Sequence, residues 1–313
     1  KTLPYGLWES HIHAPLVSMA QKKFGTLFWD GEDLYFEESR PLEGGKTQIV
    51  HRTKEGRLKD MLSPAFSACS KVHEYGGKSF TVHKGKMYFV NQSDQRLYQD
   101  STPISEIGSR CVEPHVKGDF IYAIFQRGSL HALVRFHLVS HAMEILSEGR
   151  DFYSSIAISK DGKSIAFLTW DHPQMPWDGC ELWKAELSPK GLKNLQQVAG
   201  GKKESIFQPQ YGPDNNLYFI SDKTGFWNLY KATEENIKSI YPLKAEFGLP
   251  QWTFGLSTYG FVGSTLVAIY QKEAVFYLCL PEKEEILPLK GTFFSQLHTS
   301  EKGFACIEGD FTF

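Results

Sequence analysis

Asp161-Gly162 is followed closely by the apolar run Ile165-Ala166-Phe167-Leu168 and, after a longer loop, by Glu181-Leu182-Trp183-Lys184-Ala185. A tight polar turn between runs of β-branched and aromatic residues reads as a hairpin, because such side chains fit a pleated, half-buried surface. The same unit recurs along the chain. Its turn markers are Asp30-Gly31, Lys84-Gly85, Lys117-Gly118, Asp161-Gly162, Asp214-Asn215, Gly263-Ser264 and Lys302-Gly303. From Gly31 to Gly303 they fall at intervals of about 45 residues, the size of one four-stranded propeller blade.

After each turn comes a second strand, such as Leu34-Tyr35-Phe36, Met87-Tyr88-Phe89-Val90, Phe120-Ile121-Tyr122-Ala123-Ile124 or Leu217-Tyr218-Phe219-Ile220. Thr47-Gln48-Ile49-Val50, Ala132-Leu133-Val134-Arg135-Phe136 and Asn228-Leu229-Tyr230-Lys231 read as third strands, and a short polar fourth strand is expected at each outer edge. The expected fold is therefore an all-β, seven-bladed β-propeller whose last blade is incomplete. A pair of β-sandwiches is the alternative at this strand spacing. Residues 1–23 read as a leading segment and 24–313 as the propeller, with blades near 24–62, 72–107, 110–149, 152–201, 204–243 and 247–289 and a partial one at 291–313. Only Pro15 to Phe24 hints at a helix. The apolar ending Phe311-Thr312-Phe313 suggests that the natural protein continues.

Composition narrows the function. The 313 residues are 41% hydrophobic and 14% aromatic, enough for a large core, and the formal net charge of −2 offers no broad positive field for nucleic acid or anionic lipid. Cys69, Cys111, Cys180, Cys279 and Cys306 are scattered and odd in number, which suits a reducing compartment. With no leader and no membrane-spanning stretch, a cytoplasmic location is expected. Catalytic motifs are missing. Ser79, Ser164 and Ser257 have glycine two residues before but Thr81, Ala166 and Tyr259 two after, so none forms a G-x-S-x-G elbow. Gly45-Lys46-Thr47, Gly77-Lys78-Ser79 and Gly162-Lys163-Ser164 lack the first glycine of a phosphate loop. His11-Ile12-His13 has no third ligand at zinc spacing. No cofactor and no metal are expected.

Strand alternation sends the first-to-second turns to one plain face, and the second-to-third loops and inter-blade connections to the other. The unusual residues gather on the second set. They are Trp170, Asp171, Trp177 and Asp178 in one loop, Trp227 in its counterpart, and His73, Glu74, Tyr75, Glu246 and Trp252 where new blades begin. For any one of them, locking a loop is the plain alternative. Their clustering points to a surface meant to be covered by a partner or ligand.

These clusters carry a resemblance. Tyr5 to Trp8 (YGLW), Arg40 to Lys46 (RPLEGGK), Val72 to Gly77 (VHEYGG), Ser93 to Tyr98, Asp151 to Ser155, Ala166 to Trp183, Gly200 to Gln210, Ser221 to Tyr230 and Glu246 to Tyr259 resemble the amino-terminal propeller of bacterial serine peptidases of the prolyl oligopeptidase family, of the dipeptidyl aminopeptidase/acylaminoacyl-peptidase type. The chain departs from that pattern at Trp8 to Ile12, at Lys78, at Ser159 to Gly162 and around Arg110 to His115. The resemblance implies an α/β-hydrolase domain beyond residue 313 of the same polypeptide. The propeller would be inactive alone, would cap the hydrolase active site and would admit only short peptides. It also implies that the tryptophans line the interface or cavity, with Glu74, Asp171, Asp178 and Glu246 as polar anchors. Alternatives from other classes are a free-standing interaction scaffold and a propeller glycan hydrolase with carboxylates in its channel. An unfinished last unit predicts self-association through its open strand edges.

Overall fold

The computed structural model describes residues 2–9, 21–288 and 290–310. His11, His13, the ending at 311–313 and all but the last residues of the Pro15 to Phe24 segment lie outside them; Lys23 and Phe24 open the first strand. Six antiparallel four-stranded sheets follow one another, each in plain sequence order from one edge to the other, and a two-stranded hairpin comes last. The expected seven units are thus six complete sheets and one pair of strands.

All seven turn markers join the first strand of a sheet to its second. Each sheet's first strand lies innermost. In order these strands are Lys23–Asp30, Phe80–His83, Arg110–Lys117, Phe152–Ile158, Ile206–Tyr211, Tyr259–Val262 and, in the hairpin, Phe293–Thr299. The fourth strands are mostly two or three residues long, but that of the fourth sheet, Gly191–Gly200, has ten. Its turn is gripped from the neighbouring sheet by the buried Arg135, whose guanidinium donates to Ser188 O at 3.0 Å and Pro189 O at 2.8 Å.

The core lies between sheets as well as within them. Phe80, Phe89, Phe125, Phe136, Phe167, Phe207, Phe219 and Phe247 are fully buried, each stabilising the fold by about 1.5–3 kcal/mol relative to exposure. Polar contacts then close the ring seam by seam. Glu37 of the first sheet accepts from Ser79 N at 3.0 Å and Ser79 Oγ at 2.5 Å, while its other oxygen accepts from Thr26 N at 3.0 Å. Ser70 donates to Cys111 O, Cys180 and Ile206 bond across the next-but-one seam, and Ser257 donates to Leu297 O. Trp29 Nε1 donates to His298 O at 3.2 Å and joins the last hairpin to the first sheet.

Four inner strands contain a bulge at a non-glycine residue in the left-handed region: Glu113 (φ 54°), Ser155 (58°), Gln208 (47°) and Gln296 (53°). A bulge re-aims a side chain along the strand edge. Glu113 Oε2 consequently accepts from Ser155 N at 2.5 Å and Ile156 N at 3.3 Å of the next sheet. Gln208 does the same two seams further, with Oε1 on Thr258 N at 2.7 Å and Nε2 on Tyr259 O at 2.8 Å. Removing such a side chain strands buried amides, at a cost of about 1–3 kcal/mol for each. Glu37→Ala is therefore expected to lower the stability by about 3 kcal/mol, read from urea unfolding; an unchanged midpoint would show that the seam carries no such load.

Candidate functional site

The inner strands enclose a central cavity of about 620 Å³, within the usual size range for a small-ligand site. At one end, two segments that enter non-neighbouring sheets meet across the opening. Phe254 N, on the way into the sixth sheet, donates to Gly76 O at 2.8 Å, on the way into the second. This strap is possible only because two glycines let the backbones touch. A Cβ on Gly76 would lie 1.9 Å from Ser70 O, and one on Gly77 would lie 2.3 Å from Phe254 O; both residues also have positive φ. Gly76→Ala is expected to abolish folding or cost several kcal/mol, visible as loss of the thermal transition, whereas Gly85→Ala in an open turn costs only its φ strain.

Of the residues singled out in the sequence, His73, Tyr75, Trp170, Trp177 and Trp252 line this cavity. Trp252 is the hub of an aromatic trio: Tyr75 meets it edge-on at 5.8 Å and the half-buried Trp177 lies 4.4 Å away, ring centre to ring centre. Tyr75 and Trp252 are 63% and 53% exposed, a solvent-facing aromatic patch of the sort that marks an interaction surface. Trp170 sits deeper, stacked on Phe152 at 5.2 Å.

The other five do not line the cavity. Glu74 turns outward to Arg110 at 2.6 Å, so the adjacent His73 and Glu74 part company at a turn, where both have positive φ. Asp171 pairs with Arg150 at 2.9 Å and accepts from Asp151 N, and Asp178 accepts from Met175 N. Glu246 accepts from Trp227 N at 2.8 Å. Trp227 packs against Phe207 and Gly248, and its indole nitrogen is buried with no hydrogen-bond partner.

Sequence reasoning missed a polar group inside the channel. Lys78 Nζ lies 2.7 Å from His115 Nε2 and 3.6 Å from Glu113 Oε1. No short motif marks these residues, because the bulge at Glu113 is what turns them to one place. Among the described residues the cavity-lining carboxylates reduce to Glu113, already committed to backbone amides, whereas glycoside hydrolysis needs two. The cysteines offer no nucleophile here: burial pushes the thiols of Cys111, Cys180 and Cys279 up to about 12. Among the described residues no three His, Cys, Asp or Glu side chains are placed to hold a metal ion, and no helix is long and apolar enough to cross a membrane.

Three imidazoles are held neutral. His73 sits among His131, Phe152, Trp170 and Phe254, and burial takes it down to about 3, helped by His131. Burial and then Lys78 take His298 to about 3 and His115 well below its ordinary value. In the unfolded chain these groups protonate near pH 6.5, and in the folded protein they do not. The unfolded state thus gains protons as pH falls through 6.5, so stability is full above that value and declines below it. Between pH 7 and 5, above the carboxylate range, His73 and His298 should each remove on the order of 2 kcal/mol. Melting curves at the two pH values test this, and His73→Phe should retain more of its stability at pH 5 than the unaltered chain.

No family model matches the chain, and no curated protein matches it. Among solved structures, a puromycin-hydrolyzing peptidase of Mycobacterium tuberculosis matches with a TM-score of 0.89 at 29% identity, over 98% of this chain and 52% of that one. A puromycin hydrolase matches at 0.87 and 25% identity, over 99% and 55%. A prolyl endopeptidase matches at 0.61 and 14% identity, over 89% and 43%, a likeness of fold alone. The chain spans about half the length of the puromycin-hydrolyzing enzymes it matches. With this ring of sheets and these neighbours, the chain is a β-propeller that matches a propeller domain of the prolyl oligopeptidase family.

Proposed function

We propose that the chain is the non-catalytic propeller of a serine peptidase of this family, seated over an α/β-hydrolase domain of the same polypeptide and admitting only short peptides to it. The final hairpin is then the first half of a seventh blade. The observation that carries this reading is the aromatic trio at the strapped end of the channel, in which Tyr75 and Trp252 are exposed and Trp177 half-buried. Aromatic residues are enriched where one surface covers another, and the trio stands on the face that also carries the long loops. The neighbours' span, nearly twice this chain, supports a second domain of similar size. Their names give puromycin as a substrate, so short peptides and peptide-like amides are the substrate class proposed here.

In this arrangement Asp171, Asp178 and Glu246 act indirectly, holding the loops that present the aromatic rings, and Glu74 sits on the rim with Arg110. The cap excludes folded proteins by size and keeps bulk water from the reacting centre. All five cysteines are free, which suits a cytoplasmic location.

Reading the gene past the codon for Phe313 tests the proposal directly. A G-x-S-x-G string with later aspartate and histidine is the expected result, and a stop codon there would overturn it. In the full-length enzyme, replacing both Tyr75 and Trp252 by alanine should lower kcat/KM for short peptides about tenfold or more, by analogy with interface aromatic anchors. Unchanged kinetics would remove the trio from the docking surface.

A further inference from the structure

Lys78 is an unusually placed charge. Its backbone adopts φ 29°, in the region that favours glycine, and its Cβ lies against Gly255 at the strap. A non-glycine residue held there carries strain that surrounding contacts must offset, and such strain collects at functional positions. The side chain is 17% exposed and enters the central cavity, where His115 Nε2 accepts one of its protons and Glu113 Oε1 lies at 3.6 Å. An ammonium has three protons. His115 takes one, and the ion pair with Glu113 at 3.6 Å is too long for a hydrogen bond, so protons remain for a ligand.

The charge balance of the cavity favours an anion. Among the described residues its charged lining is Lys78, Lys117 and Glu113, two cations against one anion, and one oxygen of the Glu113 carboxylate is already engaged by the amides of Ser155 and Ile156. Lys117 stands at the plain-face end, donating to Lys160 O. The lining imidazoles His73, His115, His172 and His298 add no negative charge. Above Lys78 the walls are aromatic, with Tyr75, Trp177 and Trp252 at the opening. A cavity with apolar walls at its mouth and one lysine inside matches a molecule that has side chains at one end and a carboxylate at the other.

We propose that the propeller channel is itself a binding site for short peptides, in which Lys78 pairs with the peptide's terminal carboxylate while the aromatic trio contacts its side chains. This rests on the reading of the chain as a peptide-handling propeller, but it concerns the chain alone, so it can fail while the capping role stands. The site would hold a substrate or product peptide next to the hydrolase face and would favour peptides with a free carboxy terminus.

The test is isothermal titration of the 313-residue chain, at pH 7.5 and low salt, with the tripeptide Ala-Ala-Phe as the free acid and as its carboxy-terminal amide. The acid is expected to bind at least tenfold more tightly. Lys78→Gln and Lys78→Gly should erase that preference, and Lys78→Arg should keep it. Lys78→Gly should also melt at a higher temperature than the unaltered chain, because it relieves the φ strain, which separates loss of the site from loss of the fold. Equal binding of acid and amide, no binding of either, or a preference that survives Lys78→Gln would overturn the site. Inorganic phosphate displacing the peptide at equal concentration would overturn the peptide as its ligand and leave a bare anion site. The capping role is decided separately, by the sequence beyond residue 313.

Discussion

Glu113 and Gln208 reach from one inner strand to the backbone of the next, and the ring hangs on contacts of that kind. Each stands at a bulge with positive φ, a conformation that costs on the order of 1–3 kcal/mol for a residue with a Cβ. The strain is offset by buried amides that would otherwise have no partner: Ser155 and Ile156 in one case, Thr258 in the other. Apolar packing between sheets is strong but has no direction. The bulge contacts supply direction, setting the angle at which one sheet follows its neighbour and hence the width of the channel.

The same geometry makes the channel a chemical environment. Turning Glu113 sideways to the next sheet brings His115 and Lys78 together on the channel side, and the strap between Gly76 and Phe254 narrows the opening above them. Burial then keeps three imidazoles neutral and leaves lysine as the charge that acts. Architecture and electrostatics are consequently one problem here. A change that loosens a seam would widen the channel and rehydrate its polar groups together.

The trio of Tyr75, Trp177 and Trp252 draws its members from two inter-sheet connections and one internal loop. Carboxylates close by in sequence serve it at one remove. Asp171 and Asp178 fix the loop bearing Trp177, and Glu246 holds the backbone of Trp227 while the chain turns toward Trp252. Aromatic and acidic residues that look alike as a cluster in the primary structure therefore divide into those that face the opening and those that brace it.

Turn spacing, strand alternation and the choice of decorated face were legible in the amino-acid sequence, because they are local: a glycine or asparagine at positive φ ends one strand, and period-two patterning begins the next. Tyr75, Trp177 and Trp252 could be assigned to one face on that basis. Their contact could not, since it depends on where separate sheets stand around the ring. The bulges at Glu113, Ser155, Gln208 and Gln296 left no mark in the sequence, for no glycine stands at any of them, and at Glu113, Ser155 and Gln208 the compensating bond runs between sheets. The closure of the last hairpin onto Trp29, and the pairing of Lys78 with His115, belong to the tertiary structure for the same reason: both join residues far apart in the chain, through contacts that exist only once the ring has formed.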